Sequence, residues 1–214
     1  MAMRRPGCYS VPMRSDGAVR FAFRERMVGP MARGITSPRI GAERGRADGT
    51  RLAVDLVVTI DDLERCMAAP DHPARLDGTI SFAELAARTP ISGGTMQLYV
   101  PDSETGMKQI RYRLAFSGVN GATYRLEATK FIRPGRATVR EQVTAYARLL
   151  AADAVADGEE PRVVAAGVLV FRIRDLPAFL WSMRAEGVPR VAGLRRFLAF
   201  ARRELVTRVP ARAS

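Results

Sequence analysis

The sequence is poor in the residues that bind metals and form disulfide frameworks. Its 214 residues include two cysteines, Cys8 and Cys66, and one histidine, His72. Two cysteines without metal-ligand spacing predict no disulfide framework and no metal site, and they fit a reducing compartment. His72 lies in a loop between two prolines, which is more typical of a capping or surface residue than of a general base.

Long apolar runs and nucleotide-binding fingerprints are missing as well. No stretch approaches the ~20 apolar residues of a membrane span, and the N-terminus lacks the apolar run of a signal peptide. We therefore expect a soluble, cytoplasmic protein without a transmembrane segment. The chain also lacks the glycine-rich dinucleotide fingerprint, the P-loop and the nucleophile elbow. Nucleotide-dependent and hydrolytic enzymes thereby lose their usual support, and no cofactor is expected.

Lysine is nearly absent, although the chain is strongly basic. Lysine and arginine together number 34 against 22 acidic residues, a net charge of +12, yet only Lys108 and Lys130 are lysines. The charge is spread along the chain, and no aromatic-interleaved basic strand or recognition motif accompanies it. A GC-rich coding sequence tends to give such an arginine bias whatever the function. Nucleic-acid binding is thus the least favoured hypothesis, and no specific nucleic-acid partner is expected.

The clearest positive signal is a hairpin between Gly106 and Ile132. Its first half alternates, with Ile110, Tyr112, Leu114 and Phe116 on one face, which is the period of a half-buried strand. A three-residue loop over residues 119–121, with Gly121 in the left-handed conformation, keeps the apolar faces in phase. This register places Phe116 opposite Tyr124, Leu114 opposite Leu126 and Tyr112 opposite Ala128.

The same register places a charge on the apolar face. Lys130 falls opposite Ile110, and Glu25 shares the apolar face of the first strand with Phe23 and Met27. Either the two charges pair inside the fold, or each lies near a strand end and reaches water. If they pair, they form a candidate polar site with Tyr112 or Tyr124 on the same face.

The remaining segments predict a mostly β fold, an antiparallel barrel or closed sandwich of about eight strands with a C-terminal amphipathic helix, residues 189–206, packed outside. We expect a loose arm over residues 1–16 and a single β-rich domain over 17–209, with a mobile loop at 30–49. Met96, Leu98 and Val100 indicate one face of a fourth strand, and Val139 to Leu149 indicates a seventh. The segment 162–174 is apolar on both faces, which predicts a cover on its outer side, and the C-terminal helix is the expected cover.

Five segments resemble a region found with bacterial cholesterol-oxidase-like GMC oxidoreductases, either fused to them or encoded as a separate accessory chain. They are FRERMVG (23–29), VVTIDDLERCMAAPDHPARLDGTI (57–80), KQIRYRLAF (108–116), GATYRLEATKFI (121–132) and AAGVLVFRIRDLPAFLWSMR (165–184). The flavin chemistry of those proteins belongs to a different region, so the resemblance implies an accessory and not the catalyst. The matching positions that it marks are Glu25, Met27, Gly29, His72, Gly78, Tyr112 and Lys130.

Two functions follow as hypotheses. The first is a non-catalytic barrel that binds an apolar, sterol-like or acyl molecule beside a GMC-type oxidoreductase. Its ligand would contact Glu25, Lys130, Tyr112, Tyr124, Phe23 and Phe116, in a cavity lined also by Leu56, Leu114 and Leu126. The second is an enzyme of unrecognised type that uses Glu25 and Lys130 as an acid-base pair.

Overall fold

The protein is described by a computed structural model over residues 17–83, 85–135, 138–151 and 161–209, and the predicted arm at 1–16 lies outside these residues. The described chain forms ten strands, five α-helices and a one-turn 3-10 helix. The strands are β1 (Arg20–Arg33), β2 (Arg51–Ile60), β3 (Pro73–Phe82), β4 (Ala86–Pro90), β5 (Gly93–Asp102), β6 (Met107–Ser117), β7 (Thr123–Ile132), β8 (Thr144–Ala151), β9 (Val163–Phe171) and β10 (Arg184–Glu186). The helices are α1 (Pro38–Ala47), α2 (Leu63–Ala68), α3 (Val139–Val143), α4 (Leu176–Ser182) and α5 (Arg190–Val206), with the 3-10 turn at Ile173–Asp175.

Eight of the strands close into an antiparallel barrel. Their order is β1-β2-β3-β5-β6-β7-β8-β9, and pairing of β1 with β9 completes the ring, while β4 and β10 add to β3 and β1. The closed ring leaves these strands without a free edge along most of their length. The predicted mostly β fold of about eight strands with a C-terminal helix is confirmed.

The central hairpin has the predicted register. Phe116 lies opposite Tyr124, Leu114 opposite Leu126, and Ile110 opposite Lys130. Gly118 N donates to Ala122 O at 2.8 Å, which closes the three-residue loop, and Gly121 has a φ of +78°. The alternation of apolar residues and one left-handed glycine were therefore sufficient to fix this part of the barrel.

Helix α1 replaces half of the loop predicted at residues 30–49. Strand β1 runs on to Arg33, and Pro38 starts the helix at its first turn, a position where proline is well tolerated. The helix lies against β1 and β9, where a Cβ atom at Gly41 would clash with the carbonyl oxygen of Ala166 and one at Gly45 with the backbone of Met31. The glycines that suggested a loop instead allow close helix-to-sheet contact, and α1, not the C-terminal helix, covers the outer face of β9.

Helix α5 closes one end of the barrel, the end at which β1, β3, β6 and β8 begin. Its buried side of Gly193, Phe197 and Phe200 faces the barrel, and Phe197 stacks on Phe21 at the start of β1 with ring centroids 4.6 Å apart. Near its C-terminal end, Leu205 O accepts from Gly135 N just after β7. The helix thus crosses the opening from one side of the barrel to the other.

Two further local expectations are corrected. Residues Val139–Val143 form helix α3 instead of the start of a strand, because Thr138 and Glu141 make a capping box, and β8 begins at Thr144. A bulge in β5 between Gln97 and Val100 shifts the alternation, so that Tyr99 is buried where Val100 was expected. Among the described residues, the helices are all too short or too polar to cross a bilayer.

Substitution of Gly41 by alanine tests the contact between α1 and β9. Alanine favours a helix interior over glycine by about 1 kcal/mol, yet the added methyl group meets the Ala166 backbone, which cannot move aside like a flexible side chain. We expect Gly41→Ala to lower the free energy of unfolding by about 1–3 kcal/mol, measured by urea denaturation. Gly93→Ala is the control because its methyl group would meet open space, and an equal loss in both variants would contradict the packing argument.

Candidate functional site

The barrel interior contains a buried ion pair between Glu25 and Lys130. Lys130 Nζ lies 2.6 Å from Glu25 Oε1. Both residues are buried, with Lys130 4% exposed and Glu25 6% exposed. Tyr112 Oη donates to the other carboxylate oxygen, Oε2, at 3.0 Å, and the ammonium lies 5.3 Å from the Tyr112 ring centroid. Of the two alternatives, a pair inside the fold and two charges at the surface, the structure has the pair.

The three side chains come from separate parts of the barrel. Glu25 is on β1, Tyr112 on β6 and Lys130 on β7, and β1 is not a neighbour of either of the other two strands. The ion pair therefore spans the interior. Burial raises the pKa of Tyr112 well above its ordinary value, and the charge of Glu25 and the hydrogen bond to it add to this effect. Tyr112 thus remains a hydrogen-bond donor to the carboxylate at neutral pH.

A second ion pair, absent from the sequence-based predictions, fastens α5 to the barrel. Lys108 Nζ donates to Glu204 Oε2 at 2.7 Å and to the Glu204 backbone oxygen at 2.8 Å, and the lysine is buried. That backbone oxygen belongs to the last turn of α5, where carbonyls lack helical partners and a cation is favourable. The sequence did indicate an inward Lys108, because Lys108, Ile110 and Tyr112 alternate in phase and so lie on the same face of β6. Both lysines of the chain therefore point inward.

Tyr99 is a buried residue that the carboxylates of both ion pairs influence. It has a φ of +51°, which is rare for a residue with a side chain, and it sits in the bulge of β5. Burial raises the pKa of Tyr99 to about 12, and the charges of Glu204 and Glu25 contribute in the same direction. Backbone strain of this kind concentrates at sites where the position of a side chain matters. The period-two pattern could not reveal Tyr99, because a bulge changes the face of every residue that follows it.

His72 is also part of the closed end. Its Nδ1 atom is 2.8 Å from the carbonyl oxygen of Cys66, its ring meets Phe200 edge to face at 4.9 Å, and its φ is +40°. Of the two roles predicted for His72, a capping position fits, because Cys66 O belongs to the last turn of α2, whereas a surface position is wrong, because His72 is buried. Burial raises the pKa of the neighbouring Cys66 thiol to about 11, with Asp71 and Asp62 adding to the shift, so this thiol stays protonated at neutral pH.

Aromatic rings fill the space between α5 and the barrel. Phe197 contacts Phe21 and Phe23 with centroid distances of 4.6 and 5.6 Å. Phe200 contacts His72 and lies 5.8 Å from Tyr99. Two phenylalanines of a single helix therefore occupy an aromatic recess at the mouth of the barrel, beside the two ion pairs.

Of the other predicted site residues, one lies at the aromatic recess and two lie at the turn end of the hairpin. Phe23 belongs to the aromatic recess, whereas Phe116 and Tyr124 stack at the far end of the hairpin, with centroids 5.6 Å apart. Phe116 is four residues beyond Tyr112 on the same strand, which is about 13 Å at the rise of a β-strand. Tyr124 Oη accepts from Asn120 Nδ2 at 2.9 Å and is already partnered. Glu25, Lys130 and Tyr112 are thus the predicted site residues that the fold brings together.

The predicted apolar cavity is filled in this conformation. Its expected lining residues are each at most 4% exposed, whereas an open cavity would leave their surfaces accessible; they are Phe23, Leu56, Leu114, Phe116 and Leu126. Two clefts open on the described part of the chain, with volumes of about 410 and 490 Å³. The first lies beside Gly135 and Arg208 and the second beside Arg44 and Asp48, and neither is lined by those five residues.

The described residues contain no group of three histidine, cysteine, aspartate or glutamate side chains that could hold a metal ion. Comparisons with family models, with curated proteins and with solved structures find no match to this chain. The resemblance to the GMC-associated region therefore stays a prediction from the sequence.

A double-mutant cycle on Glu25 and Lys130 measures the coupling across the barrel. Glu25→Gln or Lys130→Met alone strands the partner's charge in the interior, so each should lower the free energy of unfolding by about 3–5 kcal/mol. The double variant should lose much less free energy of unfolding than the sum of the two single losses, as measured by denaturant unfolding.

The exposed pair Arg113 and Glu127 on the same hairpin serves as the control, since its closest atoms are 3.8 Å apart at the surface. Arg113→Met and Glu127→Gln should show a coupling of at most about 1 kcal/mol. Additive and nearly neutral effects at Glu25 and Lys130 would mean that the interior pair contributes nothing to the fold.

Glu204 predicts a specific acid sensitivity. Burial by itself would raise the pKa of Glu204, but the hydrogen bond and charge of Lys108 outweigh it and hold the pKa below its usual value. Because the folded pKa is the lower one, the stabilisation is present above the unfolded pKa of about 4.3 and is lost as the pH falls towards the folded value. Glu204→Gln should lose less stability than the wild type over that interval in pH-dependent urea unfolding. Glu64→Gln, which removes an exposed carboxylate that also contacts α5, is the control for loss of a surface contact and should cost at most about 1 kcal/mol at neutral pH.

Proposed function

We propose that the protein is a non-catalytic binding barrel for a lipophilic small molecule with a polar end, of sterol-like or acyl type. The observation that carries this proposal is the aromatic recess at the mouth of the barrel, which the chain fills with its own Phe197 and Phe200. Apolar recesses with a few polar groups at their base are the usual form of a small-molecule site. The two rings of α5 occupy the position that the ligand takes when the helix lifts.

The polar end of the ligand has a recognition group in Lys130. An ammonium carries three donors, and Glu25 is the acceptor that the described residues place within hydrogen-bond distance of Lys130 Nζ. Two donors are therefore left for a hydroxyl, carbonyl or carboxylate oxygen. Tyr99, whose ring meets Phe200 in the recess, offers a hydroxyl that stays protonated at neutral pH.

Helix α5 supports the proposal as a lid. Along its 17 residues, Gly193, Phe197 and Phe200 are the buried ones, and Lys108 holds its final turn. Such an element can separate from the barrel without breaking a strand pairing. Ligand entry then requires that Phe197 and Phe200 leave the recess, so the closed form competes with the ligand.

The acid-base alternative is not supported by a specific feature of the pair. Both oxygens of Glu25 already accept hydrogen bonds, from Lys130 and Tyr112, so the carboxylate has no oxygen turned towards a substrate. The partner in our proposal is an oxidoreductase of GMC type, a role that rests on the sequence resemblance.

Binding of a fluorescent sterol and of a fluorescent fatty acid tests the proposal. We expect one of the two probes to bind the full-length protein and to increase amide hydrogen exchange in α5, because the ligand displaces the helix. Glu204→Gln weakens the lid contact, so more of the protein is open and the apparent affinity should rise about tenfold. Far-UV circular dichroism verifies that the variant is folded.

Glu64→Gln removes an exposed contact to α5 with Arg196 and should bind the probe like the wild type. Failure of both probes to bind the wild type and the folded Glu204→Gln variant would refute a lipophile site. Binding that leaves exchange in α5 unchanged would refute the lid.

A further inference from the structure

An apolar stripe lies exposed beside the closed end of the barrel. It runs along the 3-10 turn and α4 at helical spacing and is formed by Ile173, Leu176, Leu180 and Trp181, of which Trp181 is 74% exposed. Phe179 of the same helix packs edge to face on Phe23 and Phe171 and so fixes α4 against the barrel. The exposed apolar residues beside it have no cover among the described residues, whereas an apolar helix face is normally buried. We call these four exposed residues the α4 stripe.

The surroundings of the α4 stripe are basic. Residues 172–190, which include the 3-10 turn, α4, β10 and the first residue of α5, contain four arginines against one aspartate and one glutamate. The aspartate, Asp175, lies 3.9 Å from Arg174, and Glu186 lies 3.5 Å from Arg20. The acidic charges are thus matched by arginines, and the surface around the stripe favours an anionic partner.

Trp181 is held in place by one of these arginines. Arg190 donates to the backbone oxygens of Trp181 and Met183, at 2.9 Å each, and its guanidinium lies 5.3 Å from the Trp181 ring centroid. A fixed tryptophan with an arginine against its face is suited to the boundary between lipid headgroups and acyl chains. There the ring is partly immersed, and the guanidinium reaches phosphate oxygens.

We propose that the α4 stripe docks the protein on the surface of an anionic lipid membrane. The surface area of four large side chains over about two helical turns is well below the roughly 800 Å² that each partner buries in a stable protein interface. Such a stripe with a basic border is sufficient for reversible attachment to an anionic bilayer, where apolar insertion and charge attraction act together. The surface is complete whether or not the interior takes a ligand.

Vesicle binding of the full chain tests the proposal, with Trp181 as the reporter because it is the sole tryptophan. We expect a blue shift of its emission and co-sedimentation with vesicles of equal parts phosphatidylcholine and phosphatidylglycerol. Vesicles of phosphatidylcholine alone should bind weakly, and binding should decrease from low salt to ~150 mM salt. Leu180→Glu should reduce partitioning at least about tenfold. Ile40→Ser, which removes an exposed apolar residue on α1, should stay within about twofold of the wild type.

Three results would overturn the proposal. The first is an unchanged Trp181 emission with both vesicle types. The second is binding that is equal in the wild type and the folded Leu180→Glu variant, since attachment would then come from the distributed arginines. The third is a blue shift that appears with protein concentration in the absence of lipid, which would assign the stripe to contact between two copies of this chain.

Discussion

The fold depends on matching the charges that point into the barrel. Glu25 on β1 has its partner on β7, and Lys108 on β6 has its partner on α5. A slip of one residue in β7 would carry Lys130 to the outside and leave Glu25 alone in the interior, at a cost of several kcal/mol. The same reasoning applies to α5, whose position along the barrel mouth is set by Glu204. The ion pairs thus favour one register and one position of α5 over the alternatives that apolar packing alone would allow.

The closed end combines this electrostatic matching with aromatic contact. Phe197 and Phe200 meet Phe21 and His72, while Glu204 meets Lys108, so the helix is held by rings along its length and by an ion pair at its end. Neither type of contact involves a strand pairing. Separation of α5 from the barrel would therefore leave the hydrogen bonds of the ring intact, as the proposed ligand entry requires.

The parts of the structure that the sequence predicted are those with a strict period. The hairpin register followed from alternation and Gly121, and the inward position of Lys130 followed from the register. The pair with Glu25 needed only the rule that an interior charge requires a partner. Helix α5 followed from its apolar residues at spacings of three and four, although its place at the barrel mouth did not, because periodicity identifies the buried side of a helix and not the surface that it meets.

Local exceptions to the period could not be predicted in the same way. The bulge that turns Tyr99 inward leaves no mark in composition, and the glycines of α1 have the same appearance whether they make a loop or a close contact. Glu204 lies among exposed arginines on α5, so its link to Lys108 depends on a tertiary contact between residues 96 apart in the chain. These features depend on tertiary contacts, which a one-dimensional pattern does not contain.

The inward position of both lysines has a chemical consequence. Apart from the buried His72, all other basic side chains are arginines, so the described surface offers guanidinium groups, while the two ε-amines are covered by protein. Acylating reagents that react with primary amines need an accessible nitrogen, and both lysines are buried in this structure. Acylation of Lys108 would therefore follow the separation of α5 from the barrel, and acylation of Lys130 would follow the opening of the barrel itself. The acylation rates of the two lysines would therefore report on two different motions.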